Sequence, residues 1–155
     1  MTKTSAGIAL YRKTGTDFEL LLVHPGGPLW ARKDLGVWSF PKGEYVDGED
    51  PLTVAQREFH EETGSHVEGP FHPLGQVTQA SGKRVSIWAA EGACDADEIR
   101  SNTFVMEWPP KSGKQSEFPE VDRAAWFTPA VAKTKLVPAQ AEFVDRLDVI
   151  LAFEA

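Results

Sequence analysis

Apolar residues recur at spacings of three and four over residues 51–63, and this pattern predicts an amphipathic helix. Asp50 is a favourable N-cap, Pro51 suits the first helical position, and Gly64 suits the position just after the helix. We therefore predict a helix from about residue 51 to about residue 63. Its core-facing stripe consists of Leu52, Ala55 and Phe59.

Runs of apolar and β-branched residues predict strands on both sides of this helix. Residues 13–17 have turn composition, so the first two strands are expected to form a hairpin. The turn residues Ser81–Lys83 separate two further strands, and the polar stretch 111–119 is predicted to be irregular. The predicted strands cover residues 5–12, 18–23, 75–80, 84–90, 103–108 and 123–127.

The C-terminal part of the chain has helical periodicity, with helices predicted over residues 129–136 and 139–153. The segment 24–36 is rich in Pro and Gly and is predicted to be a loop, a candidate cover for the site described below. The element order indicates a mixed α/β domain, and the pattern alone leaves its topology open. The apolar face of the last helix consists of Phe143, Leu147, Ile150 and Leu151.

Composition favours one domain over residues 1–155, because 41% of the 155 residues are hydrophobic, enough for a real core. The sequence contains neither an apolar run of about 18 residues nor a charged-then-apolar leader, so we expect no membrane span and a cytoplasmic location. The single cysteine, Cys94, agrees with a reducing compartment.

The net charge of −7 and the isoelectric point near 5.1 disfavour a nucleic-acid partner, because such binding depends on neutralising phosphates with Lys and Arg. A small phosphorylated substrate can still bind where metal ions offset local carboxylates. Composition therefore favours a small ligand.

Three carboxylates, those of Glu58, Glu61 and Glu62, lie on one face of the predicted helix, next to its apolar stripe. Like charges at these spacings each destabilise an isolated helix by a few tenths of a kcal/mol, and such departures from local design are typical of functional sites. Hard oxygen ligands at this density suit Mg²⁺ or Mn²⁺, and Mg²⁺ usually shares its shell with substrate phosphates. The sequence therefore indicates a substrate that is a phosphate ester or anhydride.

The pattern G-x5-E-x7-R-E-[apolar]-x-E-E-x-G resembles the Nudix box. The last position departs from it, since Ser65 stands where the family usually has an aliphatic residue. Residues 38–42 are also similar to the W-x-x-P-K-G lead-in of many Nudix hydrolases, and the resemblance implies the Nudix fold, a mixed sheet between helices. The matching positions are Gly43, Glu49, Arg57, Glu58, Phe59, Glu61, Glu62 and Gly64.

The resemblance implies a role for each box residue. Glu61 and Glu62 would be metal ligands, Glu58 a further ligand or the general base, and the main-chain carbonyl of Lys42 another ligand. Arg57 and Glu49 would form a supporting ion pair. Gly43 and Gly64 would give structural support, and we assign Glu44 and Asp47 as loop charges.

A carboxylate outside the box often completes the metal site in this family. Glu120, just before the predicted late strand, is the first choice, Glu117 the second and Glu107 the third. Substrate binding is assigned to Arg32 and Lys42 for phosphate and to Trp38 and Phe40 for stacking on a base. Further candidates for these contacts are Trp30, Lys33, Lys83, Arg84, Trp108, Lys111, Lys114 and Phe118.

These features predict a Nudix hydrolase that requires Mg²⁺ or Mn²⁺ and cleaves a phosphoanhydride bond of a nucleoside diphosphate linked to another group. Nucleoside triphosphates, dinucleoside polyphosphates, nucleotide sugars and diphosphoinositol compounds remain open as substrates. A tyrosine found beyond the box in many dinucleoside polyphosphate hydrolases is replaced by Gly82. The alternative is a catalytically silent Nudix-fold module that senses a nucleotide, and both monomer and homodimer are open.

Overall fold

The computed structural model describes residues 3–154, and its largest element is a six-stranded mixed sheet. Five strands lie in the order β4-β5-β1-β2-β8, and β3 pairs with β1 beside this path. The parallel pair β1/β5 makes the sheet mixed, while the predicted hairpin is confirmed by the antiparallel pair β1/β2. The strands are β1 (Thr4–Thr14), β2 (Asp17–Pro25), β3 (Lys42–Tyr45), β4 (His72–Thr78), β5 (Arg84–Glu91), β6 (Thr103–Glu107), β7 (Gln115–Pro119) and β8 (Val121–Phe127).

Helix α1 (Pro51–Thr63) forms where the apolar periodicity predicts it. The Asp50 side chain accepts a hydrogen bond from the Thr53 main-chain N–H, which satisfies one of the free donors of the first turn. Gly64 ends the helix in the left-handed region, at φ 80°, which glycine adopts without strain. The predicted helix boundaries are confirmed.

Two hydrophobic clusters cover the two faces of the sheet. Helix α1 packs on one face through Val54, Ala55 and Phe59. Helices α2 (Pro129–Lys135) and α3 (Ala141–Glu154), joined by a 3₁₀ turn at Pro138–Gln140, cover the other face. The apolar face predicted for the last helix is confirmed, since these four side chains are buried or packed against the core: Phe143, Leu147, Ile150 and Leu151.

Two strands differ from the predictions. The stretch 111–119 is not wholly irregular, because β7 pairs with β6 in a separate two-stranded sheet in which Phe104 lies opposite Phe118. The short strand β3 was not predicted, since it has no apolar alternation and depends on its hydrogen bonds to β1. No helix within residues 3–154 is long and apolar enough to cross a membrane.

Candidate functional site

The site is built where β3 runs beside α1. Gly43 of β3 points at the helix, and a Cβ atom at this position would lie 2.1 Å from Cδ of Glu58. Any side chain here would occupy the space that the Glu58 carboxylate needs. The absence of a side chain at Gly43 therefore leaves room for the Glu58 carboxylate.

Glu62, one turn further along α1, accepts a hydrogen bond of 3.2 Å from the main-chain N–H of Lys42. This bond ties α1 to the start of β3. Burial holds the pKa of Glu62 well above its usual range; the Lys42 charge opposes this effect, and the negative charges of Glu58 and Glu120 add to it.

Glu58 is also a perturbed carboxyl. Burial is the largest cause of the rise in its pKa, and the negative charges of Glu61 and Glu120 add to this rise. The positive charge of Arg57 lowers the pKa. Three negative charges from α1 and one from a distant loop therefore act on one another. This arrangement destabilises the ionised groups in the absence of a cation.

Glu120 reaches this site through a series of main-chain hydrogen bonds. Asn102 donates to the carbonyl of Glu61 at 2.7 Å, and Glu120 in turn donates to the carbonyl of Asn102 at 2.9 Å. Gly26 donates to the carbonyl of Glu120 at 2.9 Å, which joins the loop after β2 to the same point. The structure thus brings together Glu120 and the box glutamates.

The second- and third-choice carboxylates lie elsewhere, on the small β6/β7 sheet. Glu117 pairs in register with Val105, and the Glu107 carboxylate accepts a hydrogen bond of 2.7 Å from the Lys111 main-chain N–H. Neither carboxylate contributes to the pKa shifts of Glu58 or Glu62. Glu120 is therefore the distal carboxylate that the geometry favours.

The predicted ion pair between Arg57 and Glu49 is present, with Nη1 3.3 Å from Oε2. Glu49 also accepts a hydrogen bond of 3.0 Å from the Val46 main-chain N–H, which closes the loop before α1. The same guanidinium lies 3.8 Å from Glu58 and 3.9 Å from Glu61. Arg57 therefore supports the loop and offsets part of the negative charge of the site.

The donor set fits a hard divalent cation in its chemistry, because carboxylate oxygens and a main-chain carbonyl are the ligands that Mg²⁺ and Mn²⁺ prefer. The raised pKa values of Glu58 and Glu62 also agree with a cation site. Repulsion between the carboxylates causes part of each rise, and a bound dication would relieve this repulsion. No group of three or more acidic, histidine or cysteine side chains among residues 3–154 already has metal-site geometry.

Trp38 and Phe40 are core residues, which corrects their assignment to substrate binding. Trp38 is 3% exposed and Phe40 is 1% exposed. The Trp38 indole donates to Asp34 at 2.9 Å, and the Phe40 ring packs edge-on against Phe143. Their aromatic faces are covered by the helices behind the sheet, so they cannot stack on a base in this structure.

The loop after β2 is anchored by a contact that the sequence did not indicate. His24 is fully buried; its Nδ1 lies 2.8 Å from the Asp122 carboxylate, and its Nε2 donates to the Lys33 carbonyl at 2.6 Å. Arg32 and Trp30 remain exposed in this loop, with Trp30 39% exposed. The loop lies beside the site because Gly26 is bonded to the Glu120 backbone.

A basic cluster also borders the glutamates. Burial and the neighbouring charge of Lys83 lower the pKa of Lys42, while the charges of Glu62 and Glu44 raise it. Glu44 lies in β3 and pairs with Lys83 at 3.0 Å, so it is not the loop charge expected from the sequence. The sequence around Glu44 does not predict this ion pair, because its partner lies some forty positions further along the chain.

Comparison with known proteins agrees with this fold and site. The family model described as NUDIX domain matches residues 1–147. A curated relative, the RNA pyrophosphohydrolase of Rhizobium meliloti (strain 1021), is 29% identical over 125 residues, which covers 64% of this chain and 71% of that protein.

Solved structures show the same fold at low identity. A Caenorhabditis elegans Ap4A hydrolase binary complex has a TM-score of 0.68 at 22% identity and covers 98% of this chain and 99% of its own. The NUDIX domain of Shewanella oneidensis NrtR, complexed with ADP ribose, has a TM-score of 0.66 at 15% identity over 97% and 89% of the two chains. The match over nearly the whole chain, together with Glu58 packed against Gly43 and Glu62 bonded to the Lys42 main chain, establishes that this chain belongs to the Nudix hydrolase family.

Proposed function

We propose that this protein is a Mg²⁺- or Mn²⁺-dependent hydrolase that cleaves a phosphoanhydride bond in a nucleoside diphosphate linked to another group. The observation that carries the proposal is the mutual influence of Glu58 and Glu62 on α1 and of Glu120, which main-chain hydrogen bonds through Asn102 hold beside that helix. Such crowding disfavours the ionised groups and is compensated by a divalent cation bound with substrate phosphates.

The cation would be held by Glu61, Glu62, Glu120 and the main-chain carbonyl of Lys42, with Glu58 either a further ligand or the proton acceptor. When bound, it supplies neutralisation of the developing phosphoryl charge and a lower pKa for the attacking water. Glu58 is suited to accept the proton from that water, because its raised pKa brings it nearer to neutral pH and the space over Gly43 fixes its position. The neighbouring Arg57 guanidinium opposes that rise in the pKa of Glu58.

We favour a small substrate with several consecutive phosphates, in particular a dinucleoside polyphosphate or a nucleoside triphosphate. The net charge of −7 opposes binding of a long polyanion, whereas a short polyphosphate needs only a local cationic site. The Ap4A hydrolase and RNA pyrophosphohydrolase relatives are consistent with cleavage within a polyphosphate chain. A 5′-triphosphorylated RNA oligonucleotide therefore belongs in the same assay.

The test is product release from a panel of Ap4A, nucleoside triphosphates, ADP-ribose and 5′-triphosphorylated RNA, each with Mg²⁺, with Mn²⁺ and with EDTA. A Glu61→Gln, Glu62→Gln double variant should lose turnover by about 10²-fold or more, as expected when charged groups of a catalytic centre are removed. Glu120→Gln should also lose activity, while Glu117→Gln, the matched control on the small sheet, should keep it.

Turnover that does not depend on added metal, or that survives the double substitution, would refute the hydrolase mechanism. Binding of ADP-ribose without cleavage of any compound would favour the nucleotide-sensing alternative. The NrtR domain supports inclusion of ADP-ribose in the panel, because that Nudix domain was solved with this ligand.

A further inference from the structure

His24 is a fully buried histidine whose two ring nitrogens both face hydrogen-bond acceptors. Nδ1 lies 2.8 Å from the Asp122 carboxylate, and Nε2 lies 2.6 Å from the Lys33 carbonyl oxygen. A neutral imidazole has one donor and one acceptor, so only a ring with a proton on each nitrogen satisfies both partners. His24 therefore donates both hydrogen bonds, and the bond to Asp122 is a charge-assisted one.

The partner of this histidine, Asp122, is the extra residue of a β-bulge in β8. His24 lies opposite Arg123, but the next residue of β2 lies opposite Val121, so the register shifts by one residue between these pairs. In a regular strand, residues three apart face opposite sides of the sheet. Here Val121 and Ala124 pack in the same hydrophobic cluster under α1, because the bulge lies between them.

The bulge also sets the position of Glu120, two residues before Asp122. Beyond the bulge, the main-chain carbonyl of Glu120 accepts from Gly26 at 2.9 Å, and its N–H donates to Asn102 at 2.9 Å. A strand rises about 3.3 Å per residue, so a regular ladder without the extra residue would move Glu120 by about that distance. Metal–ligand distances tolerate a deviation of only about 0.2 Å. The bulge therefore decides whether Glu120 can bind a cation together with the glutamates of α1.

We propose that His24 is a positioning residue of the metal site, whose hydrogen bond to Asp122 holds the bulge and thereby holds Glu120 beside α1. Its second hydrogen bond, to Lys33, fixes the loop after β2 to the same ring. The ring itself is held by Trp38, which packs edge-on at 5.2 Å between centroids. This role rests on the function proposed above, in which Glu120 is a metal ligand.

An ion pair that served only stability would behave differently. Its removal would lower the free energy of unfolding but leave the metal affinity of the folded protein unchanged. If His24 acts through Glu120, removal of the pair weakens metal binding, and this effect disappears once the Glu120 carboxylate is itself removed.

The experiment measures Mn²⁺ binding to the substrate-free protein by electron paramagnetic resonance. Asp122→Ala and His24→Phe should each raise the dissociation constant about tenfold or more, as is usual when a residue that orients a metal ligand is removed. Asp122→Asn, whose side-chain amide can still form a hydrogen bond with the ring of His24, should retain wild-type affinity. In a Glu120→Gln background, Asp122→Ala should cause no further loss.

Two further measurements separate this role from a general loss of stability. Ile87→Val, which shortens a buried core side chain, should lower the free energy of unfolding in urea and leave Mn²⁺ affinity unchanged. Nitrogen NMR spectra of the isotope-labelled wild type should show a proton on both ring nitrogens of His24. The Asp122 side chain is 33% exposed, so Asp122→Ala should fold even if His24→Phe does not, and circular dichroism checks each variant.

Wild-type affinity in a folded Asp122→Ala or His24→Phe variant would overturn the proposal, as would an equal loss in Asp122→Asn and Asp122→Ala. The same loss in the Glu120→Gln background as in the wild type, or a neutral His24 ring, would also overturn it. Turnover of the wild type with Mg²⁺ is measured separately. Any of these results in an active wild type rejects the role of His24 alone, whereas a wild type that neither binds Mn²⁺ nor cleaves any substrate rejects the proposed function as well.

Discussion

Replacement of Gly43 by alanine tests the closest approach in the site. The new Cβ would lie 2.1 Å from Cδ, 2.3 Å from Oε2 and 2.5 Å from Cγ of Glu58. Contacts this short cannot persist, so something must move. The atoms that clash belong to the end of a flexible side chain, so Glu58 should rotate away while the backbone of β3 stays in place.

The expected cost to stability is small and the cost to activity is large. Moving one side chain into another rotamer costs about 0.5–1.5 kcal/mol. Replacing a glycine in extended backbone by alanine stabilises the fold by about 0.4–1 kcal/mol, because it lowers the conformational entropy of the unfolded chain. The free energy of unfolding should therefore change by less than about 1 kcal/mol. Loss of Glu58 as proton acceptor should lower kcat by about 10²–10⁴, or about 3–5 kcal/mol in the activation free energy.

The assay combines kcat with urea denaturation for Gly43→Ala, Glu58→Gln and the double variant. Because both substitutions remove the same carboxylate, the double variant should be no slower than Glu58→Gln alone. Gly7→Ala is the contrasting control, since its Cβ would lie 2.3 Å from the main-chain oxygen of Pro41 and should destabilise the fold itself. Full activity of Gly43→Ala, or independent losses that multiply in the double variant, would refute the reasoning.

Three further predictions follow from the burial and charge of individual groups. Because the pKa values of Glu58 and Glu62 are raised in the folded protein, these two groups bind more protons in the metal-free fold than in the unfolded chain, so their contribution to the free energy of unfolding should fall as pH rises above the ordinary pKa of a glutamate. Glu62→Gln should reduce this slope in EDTA and also reduce the stabilisation by Mg²⁺; an unchanged slope in urea titrations would contradict it. Arg57→Gln should lower kcat with little loss of stability, because this ion pair is partly exposed, and a large drop in melting temperature would point to a structural role instead. Trp38→Ala should destabilise the protein by about 3–5 kcal/mol in urea titrations, whereas Trp30→Ala, at an exposed position, should cost less than about 1 kcal/mol, and equal costs would contradict the assignment of Trp38 to the core.

The helix and its caps were predictable because they depend on neighbours in the sequence. The spacing of apolar residues, the Asp50 cap and the Gly64 terminus all act within one or two turns, and the structure agrees with each. The β1/β2 hairpin was predictable for the same reason, since a short turn joins its strands.

Elements without a local signal were missed. Strand β3 exists because it pairs with a strand about forty residues earlier, and β7 exists because it pairs with β6 across a polar loop. Aromatic residues gave an ambiguous signal as well. Trp38 and Phe40 belong to the lead-in to the box, yet their burial depends on helices at the other end of the chain.

The sequence by itself determined the family and the helix that carries the glutamates, and it predicts a hard cation as ligand, because a short motif contains all of these residues. Tertiary structure decided which distal carboxylate lies beside the box glutamates, since Glu120 is brought there by hydrogen bonds through Asn102. It also decided that Glu44 faces Lys83 on the other side of the sheet. Such contacts depend on pairing between segments that are far apart in the sequence, and no local sequence pattern near either partner predicts them.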